Sequence, residues 1–286
     1  MKHSRFTHIL PLAASLALCI CFTSCKKDKS TDADDDTGYV QEHSSLEKAS
    51  NDVQTMTDQA AAGTPGALFR IAGNENTILS TCATITHDTT VTPHLLAIDF
   101  GAANCLCNDG YYRRGKIVCA YTGRYKDSGS VHTITYSNYF VNDNQFTGHK
   151  TVTNAGRNSQ GQYYYTIVTA DTMILANGAG TRGWTANRTR TWSSGYGTPA
   201  WNDDSYDMTG SGAVTRVNGK AFDIVITSPL HIAASCRWIE SGTLSIISPS
   251  HPAPAVLARV VDFGSGACDA LATYNYNGKT YNITMK

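Results

Sequence analysis

The sequence predicts a mainly β protein, with antiparallel sheets arranged as a sandwich or long meander, an internal repeat, and one helix ahead of them. Three observations lead there. After Pro65 threonine, tyrosine, valine and isoleucine dominate, and no window sustains a helical period. Turn signals recur at short intervals, too close for the crossover that parallel strands require. A glycine- and cysteine-marked unit then occurs twice at a constant offset of 163 residues.

The chain opens on a targeting segment, residues 1–24. Lys2 and Arg5 supply a positive start, and Ile9 to Phe22 is an apolar run. Fourteen helical residues rise about 21 Å, short of the roughly 30 Å hydrocarbon core, so the run is a poor permanent span. It ends on Phe22-Thr23-Ser24-Cys25, which resembles the lipobox of bacterial lipoproteins, with Cys25 as the lipid acceptor. The resemblance implies cleavage before Cys25, acyl chains (palmitate among them) on that cysteine, and an outer-membrane address facing the periplasm or the cell surface.

Lys2 and Arg5 leave with the signal, so 21 basic residues face 23 acidic ones. That balance excludes a general basic footprint for nucleic acid. Residues 25–44 carry the acidic cluster Asp32, Asp34, Asp35 and Asp36 and few apolar side chains. They read as a disordered, solvated tether.

Residues 45–63 read as the helical segment. Ser44 and Glu47 fit a capping box, and Leu46, Ala49, Val53, Met56 and Ala60 recur at three- and four-residue steps. The helix is expected from Ser45 to Ala62, where Gly63 and Thr64-Pro65 stop it. Residues 64–286 form the β-rich part, as one domain or two. Strands are expected at Ile78–Asp88, Leu95–Phe100, Gly115–Tyr121, Val131–Val141, Gln162–Leu175, Lys220–Thr227, Arg237–Ile247, Val256–Asp262 and Thr280–Met285. Asn218-Gly219 and Asn277-Gly278 suit type I′ hairpins. Phe222, Ile224 and Ile226 would then share one face, as would Tyr281, Ile283 and Met285.

The repeat runs Asp99-Phe100-Gly101, Cys105, Gly115-Lys116 and again Asp262-Phe263-Gly264, Cys268, Gly278-Lys279. It reads as a duplicated strand–turn–strand unit, near residues 82–122 and 236–286, with Gly123 to Ala234 inserted as long hairpins. Each copy has an upstream cysteine, Cys82 or Cys236. Six cysteines in an exported chain point to disulfides. Repeat symmetry pairs Cys82 with Cys105 and Cys236 with Cys268. Ala270 and Asn282 stand at the second-copy equivalents of Cys107 and Cys119, so those two are expected to bond each other. A zinc site from Cys105, Cys107 and Cys119 lacks the usual spacing and a fourth ligand, so neither a metal nor another cofactor is expected.

Together with Cys236-Arg237-Trp238-Ile239-Glu240-Ser241-Gly242 and Val141-Asn142-Asp143-Asn144, the repeat resembles a family of Bacteroidota surface lipoproteins. The resemblance covers most of residues 80–286 and implies an envelope address without any particular activity.

No catalytic motif stands out. Gly178-Ala179-Gly180-Thr181-Arg182-Gly183 matches a dinucleotide fingerprint, but no helix follows it, so it reads as a glycine turn. The Asp-Phe-Gly tripeptides lack every other kinase element. His87, His94, His132, His149, His231 and His251 are scattered singly, as surface or satisfied strand positions. The stretch Trp184 to Asp207 is the candidate ligand surface: Trp184, Trp192, Tyr196, Trp201 and Tyr206 beside Asp203, Asp204 and Asp207. Aromatic faces beside carboxylates suit sugar rings; the same tryptophans could instead be core and the aspartates turn residues. The expectation is a non-catalytic domain for binding or envelope assembly, its partner a glycan or another envelope protein. The alternative is a carbohydrate-active hydrolase using these carboxylates.

Overall fold

The computed structural model describes residues 32–62, 78–198, 203–236, 238–248 and 259–285. Cys25, the signal segment and Trp201 lie outside them. Helix α1 spans Asp32–Ala62. Fourteen strands follow: β1 Thr84–Asp88, β2 His94–Asp99, β3 Cys105–Leu106, β4 Tyr112–Tyr121, β5 Val131–Val141, β6 Asn144–Arg157 and β7 Tyr163–Leu175. The remainder are β8 Gly180–Ser194, β9 Ser205–Thr215, β10 Ala221–Ala233, β11 Ser241–Ile247, β12 Arg259–Ser265, β13 Leu271–Tyr276 and β14 Lys279–Thr284. All belong to one antiparallel sheet, a meander in chain order in which β3 pairs aside with β4.

The helix is longer than its expected span. Residues 32–44, read as a solvated tether, are helical, and Tyr39, Val40 and His43 are buried. Ser44 and Glu47 therefore lie inside the helix and form no capping box; Glu47 instead meets His43 at 3.3 Å and Arg188 at 3.5 Å. Within this stretch Glu42 finds cations on the sheet. Glu42 accepts from Arg216 Nε at 2.8 Å and lies 3.5 Å from Arg182. The expected apolar stripe packs inward: Leu46, Val53, Met56 and Ala60 are buried, and Ala49 packs against the core.

The sheet curls around α1. Laid flat, β4 and β14 would lie ten strand spacings apart, roughly 48 Å. Yet residues of β4 to β8 and of β14 line one cavity beside the helix. The backbone bends at glycines: Gly148 (φ 116°) and Gly210 (φ 116°) adopt a conformation closed to other residues. A Cβ there would stand 2.1 Å from the Ala170 carbonyl oxygen and 2.2 Å from that of Asn187. Such kinks let a twisted sheet turn without breaking its ladder.

One rim of the sheet, here the lower, carries the β5–β6, β7–β8, β9–β10 and β13–β14 hairpins; the upper carries the alternate connections. The helix enters at the lower rim, where Tyr39 packs edge-on to Phe222 at 4.9 Å. The Asn277-Gly278 turn has the expected positive φ pair, 50° and 72°. Asn218-Gly219 does not: only Gly219 is left-handed, in a longer turn where Gly219 N donates to Arg216 O and Arg216 N to Lys220 O. Phe222 and Ile224 are buried with Ile226 packed against the core, and Tyr281, Ile283 and Met285 share the inward face.

The repeat is real at its beginning and diverges at its end. In both copies the aspartate accepts the glycine amide two residues on, Asp99 from Gly101 and Asp262 from Gly264, each at 2.9 Å. Both phenylalanines are buried. Beyond the cysteine the copies part: Asp99 pairs with Lys116, past the glycine, whereas Asp262 pairs with Thr273, before it. The two copies also lie at opposite rims. Cys82–Cys105 (Cα–Cα 5.9 Å) pins the lower rim and Cys236–Cys268 (5.7 Å) the upper, as repeat symmetry predicts.

The third pairing is corrected. Cys107 and Cys119 are free and buried. Cys107 bonds through its amide to Tyr111, beside the start of β4, while Cys119 lies near the end of that strand. Eight strand residues from Tyr111 to Cys119 span roughly 26 Å, far beyond disulfide reach.

Candidate functional site

Of the candidate ligand surface Trp184 to Asp207, the two described tryptophans are turned inward. On β8, Trp184, Ala186, Arg188 and Trp192 point toward the helix side and are buried. Trp184 meets His43 of α1 at 5.4 Å, and Trp192 is packed among Tyr125, Tyr165, Tyr196 and Tyr206. Tyr196 borders a shallow upper-rim pocket of about 320 Å³, but its ring is already covered. Tyr163 stacks on it at 3.7 Å, Lys126 Nζ sits 4.4 Å from its centroid, and Arg157 caps Tyr163 at 4.0 Å.

The three carboxylates have different partners. Asp203 accepts from Thr198 Oγ1 at 2.7 Å, a loop-closing bond. Asp204 is buried with Tyr206 Oη 3.4 Å away, and Asp207 contacts His231 Nδ1 at 2.8 Å. Zinc at Cys105 is ruled out by its disulfide, and the grouping of Cys236, Cys268 and Glu240 has both thiols spent in the other one.

What the sequence did not single out is a cavity of about 600 Å³ between the flank of α1, the lower ends of β4 to β8, and β14. The sheet walls are apolar: Tyr139, Val141, Phe146, Met173 and Leu175 on one side, Ile283 and Met285 on the other. Helix residues Val40, Ala49 and Val53 close the base. Two hairpin asparagines hold the mouth in shape. Asn142 Oδ1 accepts from Tyr112 N at 2.9 Å, and Asn144 Oδ1 from Ala176 N at 3.0 Å.

Charge is concentrated on one side of this cavity and internally compensated. Arg113, 1% exposed, donates a fork to Asp109, Nη1 and Nη2 each at 2.7 Å from a carboxylate oxygen. Burial opposes ionisation of Asp109, but the fork and charge of Arg113 outweigh it and hold its carboxyl below the usual range. Lys48 pairs with Asp52 at 2.6 Å and sits 4.8 Å from the Tyr111 ring centroid. The Arg113 guanidinium is thus buried and held by Asp109 rather than presented to the cavity. Volume, apolar walls and a few fixed polar groups are the attributes of a small-molecule pocket.

Behind the cavity lies a buried polar layer between helix and sheet. Lys150 Nζ donates to Ser50 O at 3.0 Å and to Ser50 Oγ at 3.3 Å. Burial raises Asp171 to about 7, against the pull of Lys150, and Tyr136 Oη donates to it at 3.3 Å. Burial also raises Asp58 to about 6, although Arg190 opposes it. His132 is driven down to about 4 by burial among Tyr121 and Tyr125.

No family model, no curated protein and no solved structure matches this chain. No helix among the described residues is long and apolar enough to cross a membrane.

Proposed function

We propose that this chain is an exported lipoprotein, anchored through Cys25, whose β domain binds an amphiphilic small molecule in the groove between α1 and the curled sheet. The single observation that carries the binding reading is the cavity itself: about 600 Å³ and apolar on both walls. An apolar chain along Val141, Phe146, Met173 and Ile283 would be removed from water at about 25 cal/mol per Å². Every lining cation already faces a carboxylate: Lys48 pairs with Asp52, Arg113 with Asp109, Arg182 with Glu42. This favours a neutral or zwitterionic head over a simple anion.

The test is titration of the full chain with a fluorescent acyl-chain probe, alongside solvent extraction of the purified protein for bound amphiphiles. Saturable binding is expected, weakened at least about tenfold by Ala49→Phe, which fills the base of the groove. Absence of saturable binding, or binding indifferent to Ala49→Phe in a folded protein, sinks the reading.

A further inference from the structure

We infer that the lower-rim tips of the β7–β8 and β9–β10 hairpins rest on the lipid surface, so that the ligand groove opens at the bilayer. The inference rests on the Cys25 anchor proposed above and adds to it an orientation. Two independent features of the chain lead to it.

The first is reach. Seven residues from Cys25 to Asp32 span at most roughly 25 Å fully extended. Six helical residues from Asp32 to Gly38 add about 9 Å, and Gly38 lies against Arg216, at the β9–β10 tip. The tip is therefore held within roughly 34 Å of the lipidated cysteine. The upper rim is farther than that: β7, β8 and β10 have 13 to 15 residues, a run of roughly 45 Å along the strand. Resting on its lower rim, where the helix enters, the domain keeps the tip well within that reach.

The second is chemistry. The two adjacent tips expose Ile174 (41%) and Val217 (44%), and a Cβ added at Gly180 would stand 2.4 Å from Val217 Cγ1, which shows how closely the tips sit. Exposed Lys220 lies beside them, suited to phosphate headgroups. The groove reaches the same rim through Leu175 and Arg182. The upper side also exposes apolar residues, Val91 and Leu271, but these sit near opposite edges of the sheet rather than on neighbouring hairpins.

Lipidated full-length protein carrying Val217→Cys or Leu271→Cys would be labelled with bimane under native conditions, where Cys107 and Cys119 are buried. The labelled proteins are then reconstituted into phosphatidylethanolamine–phosphatidylglycerol vesicles containing brominated phosphatidylcholine. Insertion to interfacial depth should quench the Val217 label by about half and the Leu271 label by less than about a tenth. Flotation with the vesicles reads the anchor separately. Flotation with an unquenched Val217 label, or with equal quenching at Leu271, overturns the orientation and leaves the anchor standing. Failure to float overturns both.

Discussion

Lys150 on β6 reaches across to α1 and donates its ammonium to both the backbone carbonyl and the hydroxyl of Ser50. A cation bonded to a mid-helix carbonyl, with Glu47, Asp58 and Asp171 around it, makes the helix–sheet contact a polar seam rather than a plain apolar one. Removing it leaves those acids without their shared cation. Lys150→Ala should lower unfolding stability by roughly 3 kcal/mol in urea titration. A loss below about 1 kcal/mol would mean that the seam does not hold the helix.

The disulfide pattern is checked by mass mapping of unreduced digests. Linked peptides should join Cys82 to Cys105 and Cys236 to Cys268, while Cys107 and Cys119 alkylate as thiols only after unfolding. Their loops close 23 and 32 residues, so each double Cys→Ser variant should lose about 3 to 4 kcal/mol in the chain-entropy model. A Cys107–Cys119 peptide would refute the assignment.

Asp171 makes stability depend on pH in a defined sense. Its folded value of about 7 lies above its ordinary 3.8, so the native state holds the proton more tightly. The stabilisation is full below pH 3.8 and disappears as pH rises through 7. His132 acts oppositely: its folded value of about 4 lies below 6.5, so its contribution is present above pH 6.5 and lost as pH falls toward 4. The comparison must therefore be between the native chain and Asp171→Asn, with His132 common to both. From pH 5 to 7 the native chain should lose stability relative to the variant, by up to about 1.4 kcal/mol per pH unit. Parallel curves would remove Asp171 from the account.

Gly210→Ala tests the curl. The new methyl meets the Asn187 carbonyl oxygen at 2.2 Å, on a backbone that L residues rarely adopt. We expect a loss of at least about 2 kcal/mol, measured by thermal and urea unfolding. A neutral substitution would show that the sheet bends without this kink.

The sequence revealed β structure, the repeat and two of the disulfides, because these leave local marks. Val131–Val141 was legible to the residue, since Ile134 and its neighbours alternate with polar positions. Strands β6, β8 and β9 were not. Their inward faces carry Lys150, Asn154, Arg188 and Asp204's neighbour Ser205 as well as apolar groups, so no clean alternation of hydrophobicity exists to be read. The reason is the helix, whose acids are the partners of those cations. The same cause hid the helix start, where Glu42 looks solvated until Arg182 and Arg216 are placed opposite it. The groove escaped notice because its walls come from β4 to β8 and β14, positions as much as 170 residues apart in the chain.

The bond between Glu42 and Arg216 joins residues 174 apart, and it bears on the order of assembly. The strands meet as successive hairpins, each closing a short stretch of chain, and such contacts form quickly. The helix gains its ion pairs only once the sheet has been laid down, and an isolated helix gains little on its own. It is the first described element in the chain, yet its partners Arg182 and Arg216 lie far downstream of it. Because α1 lines the groove, whatever loosens the helix from the sheet unroofs the groove as well.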